Sequence, residues 1–210
     1  MDLDRRNPLL VHFTHVHNLR GIAERGLIAD TYGADPRVDC AEDGIKEARR
    51  RRIVPIGPGG VVADYAPFYY APRSPMLRRI HGGGVSGYKD GQYPLVYLVS
   101  RLSRLVEHEV TWVATNLNAA LRTTRFVNHV DQLPAHIDWD LMLRLMWNNT
   151  PEDGSRMQRR MAEMLGHRVV PWAAVESVAV IDEAMARQVR AALDGIEHQP
   201  SVAVRPGWYF

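Results

Sequence analysis

A chain of 210 residues with 46% hydrophobic and 24% charged positions is long enough to bury a core and too apolar for a disordered tail. Its single cysteine, Cys40, excludes a disulfide framework within the chain and suits a reducing cytoplasm. The net charge of +2 is unevenly spread, with arginines gathered at 49–52, 73–79 and 156–160, and no apolar run reaches the ~18–20 residues of a membrane span.

The opening "MDLDRRNPLL" mixes both charge signs and does not read as a leader. "VHFTHVHNL" (11–19) reads as a short strand because Val, Phe and Thr favour pleated surfaces. Asn18 to Arg25 follows as a short helix ended by Gly26, then a loop around "DTYGADP", then a helix from about Val38 to Arg52. Residues 54–75 are rich in Pro and Gly and read as loop with short extended pieces at "GVV" and "PFYY", and "HGGGVSGYKDGQ" (81–92) reads as a flexible loop. "YPLVYLVS" (93–100) is the best buried strand, and "EVTWVAT" (109–115) is another candidate. "WDLMLRLMWNN" (139–149) reads as helix and "AVESVAVI" (174–181) as strand. "DEAMARQVRAALDG" (182–195) is a helix with an Asp cap and a terminal Gly, and "SVAVR" closes the chain as a short strand before an aromatic end. Strands and helices mix without strict alternation and without repeats, so the expectation is one α+β domain over 1–210.

His12, His15 and His17 suggest a metal site until the strand alternation is applied. His12, Thr14 and Val16 share one face and Phe13 and His15 the other, so the imidazoles do not converge, and neither thiolates nor a helical His pair accompany them. The expectation is no metal, with His12 and Thr14 side by side on one face and His15 and His17 as ordinary strand-end and helix-start residues. In the helix at 38–52, Val38, Ala41, Ile45 and Ala48 form an apolar stripe, and Arg50 and Arg51 point away from it. Arg49 falls inside the stripe's sector. A guanidinium aimed at the protein body needs an anion or stacked acceptors, unless it snorkels out or pairs with a structural carboxylate.

"VHFTHVHNLRGIAERGLIAD", "GIKEARRRRIVPIGPGGVVADYAPFYYAPRSPML", "MAEML" and the terminal "WYF" together resemble the DarT family, the DNA ADP-ribosyltransferase toxins of DarT–DarG toxin–antitoxin systems. The likeness is strongest over 11–29 and 45–77 and weak over 81–150. It implies the ADP-ribosyltransferase fold, a split, mostly antiparallel β-core with flanking helices. It also implies an enzyme that uses NAD+ to attach ADP-ribose to a base of single-stranded DNA, thymine in the best-known branch, with a macrodomain antitoxin as partner. By position, the resemblance puts His12, Phe13 and Thr14 along the nicotinamide side of NAD+, with Gly21 and Ala29 in the same pocket. His12 would offer a donor and Thr14 a hydroxyl to the ribose or amide.

The family's glutamate falls on Glu163, where a carboxylate would stabilise the cation-like centre formed as the nicotinamide bond breaks. Read locally, "RMQRRMAEML" is a surface helix with Glu163 in solvent, whereas the resemblance implies a strand; Glu152, Glu176 and Glu183 are alternative acids. The family's essential arginine falls on Arg49. A guanidinium is protonated under essentially all conditions, so anion stabilisation of the base or the pyrophosphate suits it better than proton removal. Tyr69 or Tyr70 would stack on a base, Arg73 hold a phosphate and Met76 wall the pocket, or the aromatics would be core. Residues 115–150 match only loosely and hold the choice of base open. The rival readings are transfer to RNA, to guanine or to a protein side chain, and a basic nucleic-acid-binding module without NAD+.

Overall fold

The computed structural model describes residues 4–210, so the first three residues of the mixed-charge opening lie outside it. In chain order the elements are β1 (Leu9–His15), α1 (Leu19–Arg25), β2 (Leu27–Ile28), α2 (Asp43–Arg51), β3 (Tyr65–Tyr69) and α3 (Pro75–His81). Then come β4 (Leu95–Arg101), α4 (Leu102–Glu107), β5 (Trp112–Thr115), β6 (Phe126–Val127), α5 (Leu133–His136) and α6 (Trp139–Met142). The chain ends with α7 (Arg156–Arg160), β7 (Glu163–His167), β8 (Val169–Val170), β9 (Ser177–Val180), α8 (Glu183–Ala192) and β10 (Ser201–Val204). Eight strands form one sheet in the order β10-β9-β4-β1-β3-β7-β5-β6, and β2 pairs with β8 apart from it. Only β10 and β9 run parallel; the other neighbours are antiparallel.

β4 sits well inside the sheet because its residues are apolar on both faces. Val96 and Leu98 pack with Leu19 of α1 and with Met185 and Val189 of α8, while Leu95, Tyr97 and Val99 pack with Leu77 and Ile80 of α3 and with Tyr209. Helix α8 starts where Asp182 accepts from the Met185 backbone N–H at 2.8 Å, as its sequence implies. The sheet nearly parts between β1 and β3. They share one residue pair, Val11 with Tyr69, against seven consecutive pairs between β1 and β4. Pro67, in the middle of β3, has no N–H to give to a ladder. Its carbonyl lies 2.8 Å from His12 Nδ1, so a side chain bridges where backbone cannot.

Three expectations need correction. The helix expected over 38–52 begins only at Asp43, because Asn18 engages both backbone groups of Val38: Nδ2 donates to its carbonyl at 2.8 Å and its N–H donates to Oδ1 at 2.9 Å. Val38 and Ala41 therefore lie outside the helix, and Ala48 is exposed, so the stripe is reduced to Ile45 and Arg49 facing the protein. The helix expected over 139–149 closes after one turn, because the carbonyls of Leu141, Met142 and Arg144 accept from the Arg160 guanidinium at 2.8, 2.7 and 3.2 Å. In the Pro/Gly-rich stretch 54–75 the expected extended piece at "PFYY" overlaps β3, which lies inside the main sheet. Beyond it, Ser74 caps α3 through the Leu77 N–H at 3.2 Å, with Pro75 in the first turn. In "RMQRRMAEML" the helix ends at Arg160 and a strand starts at Glu163, so the surface-helix reading fails at the acid itself.

Candidate active site

A cavity of about 530 Å³ opens at the seam between β1 and β3, within the size range of small-molecule sites. β1 lends it His12, Phe13 and Thr14, α1 lends Gly21, and Ala29 follows β2. Arg49 from the last turn of α2 and Glu163 from the start of β7 close it, with Tyr69, Met76 and Asn118 beside them.

The cavity is floored by an ion pair. Arg49 Nη1 donates to Glu163 Oε2 at 2.7 Å, and the Ala119 backbone N–H donates to Oε1 at 3.0 Å. Glu163 is 2% exposed and is pinned by its own N–H, which donates to Thr115 Oγ1 at 2.9 Å. Arg49 Nη2 is buried without a hydrogen-bond partner among the described residues. A buried pair of this kind is weak support for stability, since apolar replacements of similar volume are often as stable or more so. An orphaned donor beside a fixed carboxylate is an arrangement suited to a ligand: the donor can meet an anionic or carbonyl oxygen, and the carboxylate can meet a hydroxyl next to a developing cation.

His12 has a different chemical role from the expected donor. Burial outweighs its bond to Pro67 and lowers its pKa to about 4, with the Arg49 charge adding to the shift, so the ring is neutral near pH 7. Nδ1 carries the proton given to the Pro67 carbonyl, which leaves Nε2 as an acceptor. Thr14 Oγ1 accepts from Asn18 Nδ2 at 3.0 Å, leaving its own proton to donate. The strand face thus presents one acceptor and one donor without charge. A Cβ added at Gly21 would meet only Arg25 Nη2, at 3.5 Å, so the fold does not itself demand glycine there and the space belongs to the cavity.

The other expected residues divide. Tyr69 stacks on Phe13 with ring centroids 6.3 Å apart, and burial with the neighbouring Glu163 charge holds its hydroxyl well above the usual range. Tyr70 is 1% exposed, with its ring edge-on to Trp139 and its hydroxyl donating to the Glu163 carbonyl at 3.3 Å. That corrects its reading as a base platform: it is core. Arg73 lies outside the cavity lining, its guanidinium 4.5 Å from the centre of the Phe210 ring. Glu176 sits near the surface 3.6 Å from Arg101, and Glu152 and Glu183 are exposed, so none of the alternative acids lines the cavity. His15 accepts from the His17 N–H at 3.1 Å, with the two rings tilted at 59° and their centroids 4.6 Å apart, as a cap of the following turn. Asn18, Ala119 and Thr115 also shape the site, and no motif in the sequence singles them out. Ala119 acts through its backbone, which leaves no side-chain signal.

Over residues 11–210 the sequence matches the family described as "DarT: ssDNA thymidine ADP-ribosyltransferase, DarT". The chain belongs to the DarT family. It is an NAD-dependent ADP-ribosyltransferase of single-stranded DNA. A DNA ADP-ribosyl transferase of Mycobacterium tuberculosis is 35% identical over 213 residues, covering 99% of this chain and 92% of the relative. One from Thermus sp. strain 2.9 is 34% identical, covering 96% and 95%. The solved structure of Thermus sp. 2.9 DarT in complex with ADP-ribosylated ssDNA superposes with a TM-score of 0.91 at 32% identity, covering 97% of this chain and 96% of that one. The same protein in complex with NAD+ gives 0.87 at 30% identity, covering 97% and 98%. The DarT resemblance and its split, mostly antiparallel fold are therefore borne out, and NAD+ is the co-substrate.

Proposed function

We propose that the chain transfers ADP-ribose from NAD+ to a thymine ring nitrogen in single-stranded DNA, with Arg49 and Glu163 at the reacting centre. The bond from the ribose anomeric carbon to nicotinamide breaks, nicotinamide leaves neutral with the bonding electron pair, and the base nitrogen bonds to that carbon while its proton passes to solvent water. Glu163 accepts a ribose hydroxyl and stabilises the cation-like centre. Arg49 meets the negative charge that grows on the base carbonyl as the nitrogen loses its proton. The observation that carries this is the buried, partnerless Arg49 Nη2 next to the fixed Glu163 carboxylate. His12, Phe13, Thr14, Gly21 and Ala29 hold the nicotinamide side of NAD+, with His12 Nε2 accepting from a hydroxyl or amide. Tyr69 and Met76 face the base, and Arg73 holds a backbone phosphate just outside the cavity.

The modified base blocks replication, so the chain works as a cytoplasmic toxin restrained by a macrodomain antitoxin. Mass spectrometry of oligonucleotides after incubation with NAD+ tests the base: thymine-containing strands should gain one ADP-ribose and thymine-free strands none. Equal modification of thymine-free strands, or of RNA, would replace this reading with guanine or RNA as acceptor. Expression in bacteria should stop growth and co-expression of an ADP-ribose-removing macrodomain should restore it, while Glu163→Ala should be harmless; equal toxicity of that variant would remove the enzymatic account.

A further inference from the structure

Arg160 lies three residues before Glu163, is 4% exposed, and has no carboxylate partner among the described residues. Its guanidinium instead collects backbone carbonyls: Leu141, Met142 and Arg144 through Nη1, and Pro72 through Nη2 at 2.7 Å. Burial of a cation without an anion is costly, and it lowers the Arg160 pKa to about 10. Core filling alone would be served at lower cost by Leu or Met. What the cation joins is informative. Pro72 lies between Tyr69 and Met76, both in the cavity wall, and the next residue, Arg73, takes a left-handed φ of 57° with its N–H donating to the Tyr97 hydroxyl at 3.2 Å. Residues 141–144 belong to the segment that loses its helix to this same guanidinium. One side chain therefore ties two irregular segments to the start of the strand that carries Glu163.

We propose that Arg160 is a positioning residue that sets the base-side wall, Tyr69 to Met76 and the 141–144 segment, against Glu163. This rests on the reading that the target base lies on that side of the cavity. None of the four residues whose carbonyls accept from Arg160 lines the cavity, so the NAD+ side does not depend on it directly. Its loss should then appear in the handling of DNA and leave the handling of NAD+ alone, a split that a purely structural role would not produce.

The test uses the full chain with Arg160→Met and Arg160→Lys. NAD+ affinity is measured by calorimetry, and transfer is measured against oligonucleotide concentration at saturating NAD+. For Arg160→Met, the KM for oligonucleotide should rise and kcat/KM fall about 10- to 100-fold, as small misplacements near a reacting centre do. NAD+ affinity should stay within about twofold of wild type. Arg160→Lys keeps the charge but reaches fewer carbonyls, so it should recover part of the loss and also serves if the Met variant does not fold. Wild-type KM in both variants would overturn the proposal, and so would a parallel loss of NAD+ affinity in both, which would assign Arg160 to fold stability. If the wild-type chain itself fails to modify DNA, the functional reading falls rather than the role of Arg160.

Discussion

Between β1 and β4 seven consecutive residue pairs close an antiparallel ladder, whereas between β1 and β3 a single pair and one imidazole do so. On the β4 side the interior is mainly aliphatic, with Val96, Leu98, Val178 and Val189 sealing the sheet against α1 and α8. On the β3 side the strands hold buried polar groups, Glu163, Thr115 and the neighbouring Arg160, each with assigned partners. The difference separates two tasks. Both halves exclude water from apolar clusters, and chemistry is placed at the edge of the half that also buries charged groups needing specific partners.

Substitutions on the two sides should therefore fail in different ways. The largest effect falls on Glu163. Glu163→Gln can keep the bond from Ala119 and should bind NAD+ normally, yet slow transfer by ~10²–10³, the usual cost of removing one such electrostatic contact. Single-turnover transfer with labelled NAD+ reads this directly, and a normal rate would move the acid elsewhere. On the other side, Leu98→Ala removes a fully buried side chain between β4 and α8. It should lower unfolding free energy by about 2–5 kcal/mol in urea titration while leaving the rate per folded molecule within about twofold. A comparable loss of rate would mean the halves are not separable.

Acid should sharpen the contrast at the seam. Well above pH 6.5 His12 is neutral in folded and unfolded chains alike. As pH falls from 6.5 towards 4, the unfolded chain takes up a proton that the folded His12 refuses, so stability declines across that window. By about pH 5 this single group accounts for about 2 kcal/mol. Denaturation of wild type and His12→Gln at neutral pH and near pH 5 should show a smaller acid loss in the variant; equal losses would place the acid sensitivity elsewhere. Smallest is Arg49→Lys, which keeps charge near Glu163 but loses the planar fork and the free Nη2. Transfer should fall about tenfold with NAD+ affinity little changed, and a wild-type rate would dispose of the bidentate role.

The same divide governs how much could be read from sequence. β4 announces itself as an apolar run, and α8 by its Asp182 cap and Gly195, because both signals are local. β3 shows only as a short extended piece at "PFYY", because Pro67 and its Pro/Gly-rich flanks blur its extent, although that proline is what opens the seam. Glu163 reads locally as a helical surface residue and emerges only through the family resemblance. Asn18 acts on Val38, 20 residues away, and Arg160 on Pro72, 88 residues away, so neither has a spacing that a pattern could register. Strand alternation alone puts His12 beside Thr14, but the tautomer of His12 depends on the Pro67 carbonyl, 55 residues distant.

The central claim is that a base is modified at a ring nitrogen beside the Arg49–Glu163 pair, which requires its pairing edge to be free. Opening a duplex to expose that edge costs a few kcal/mol. The direct measurement takes one thymine-containing oligonucleotide, alone and annealed to its complement, with excess labelled NAD+. Labelling of the single strand at the thymine, with the duplex labelled at least about tenfold more slowly, is the predicted result. Equal labelling of both forms would contradict the exposed-edge mechanism and require the protein to extrude its target base.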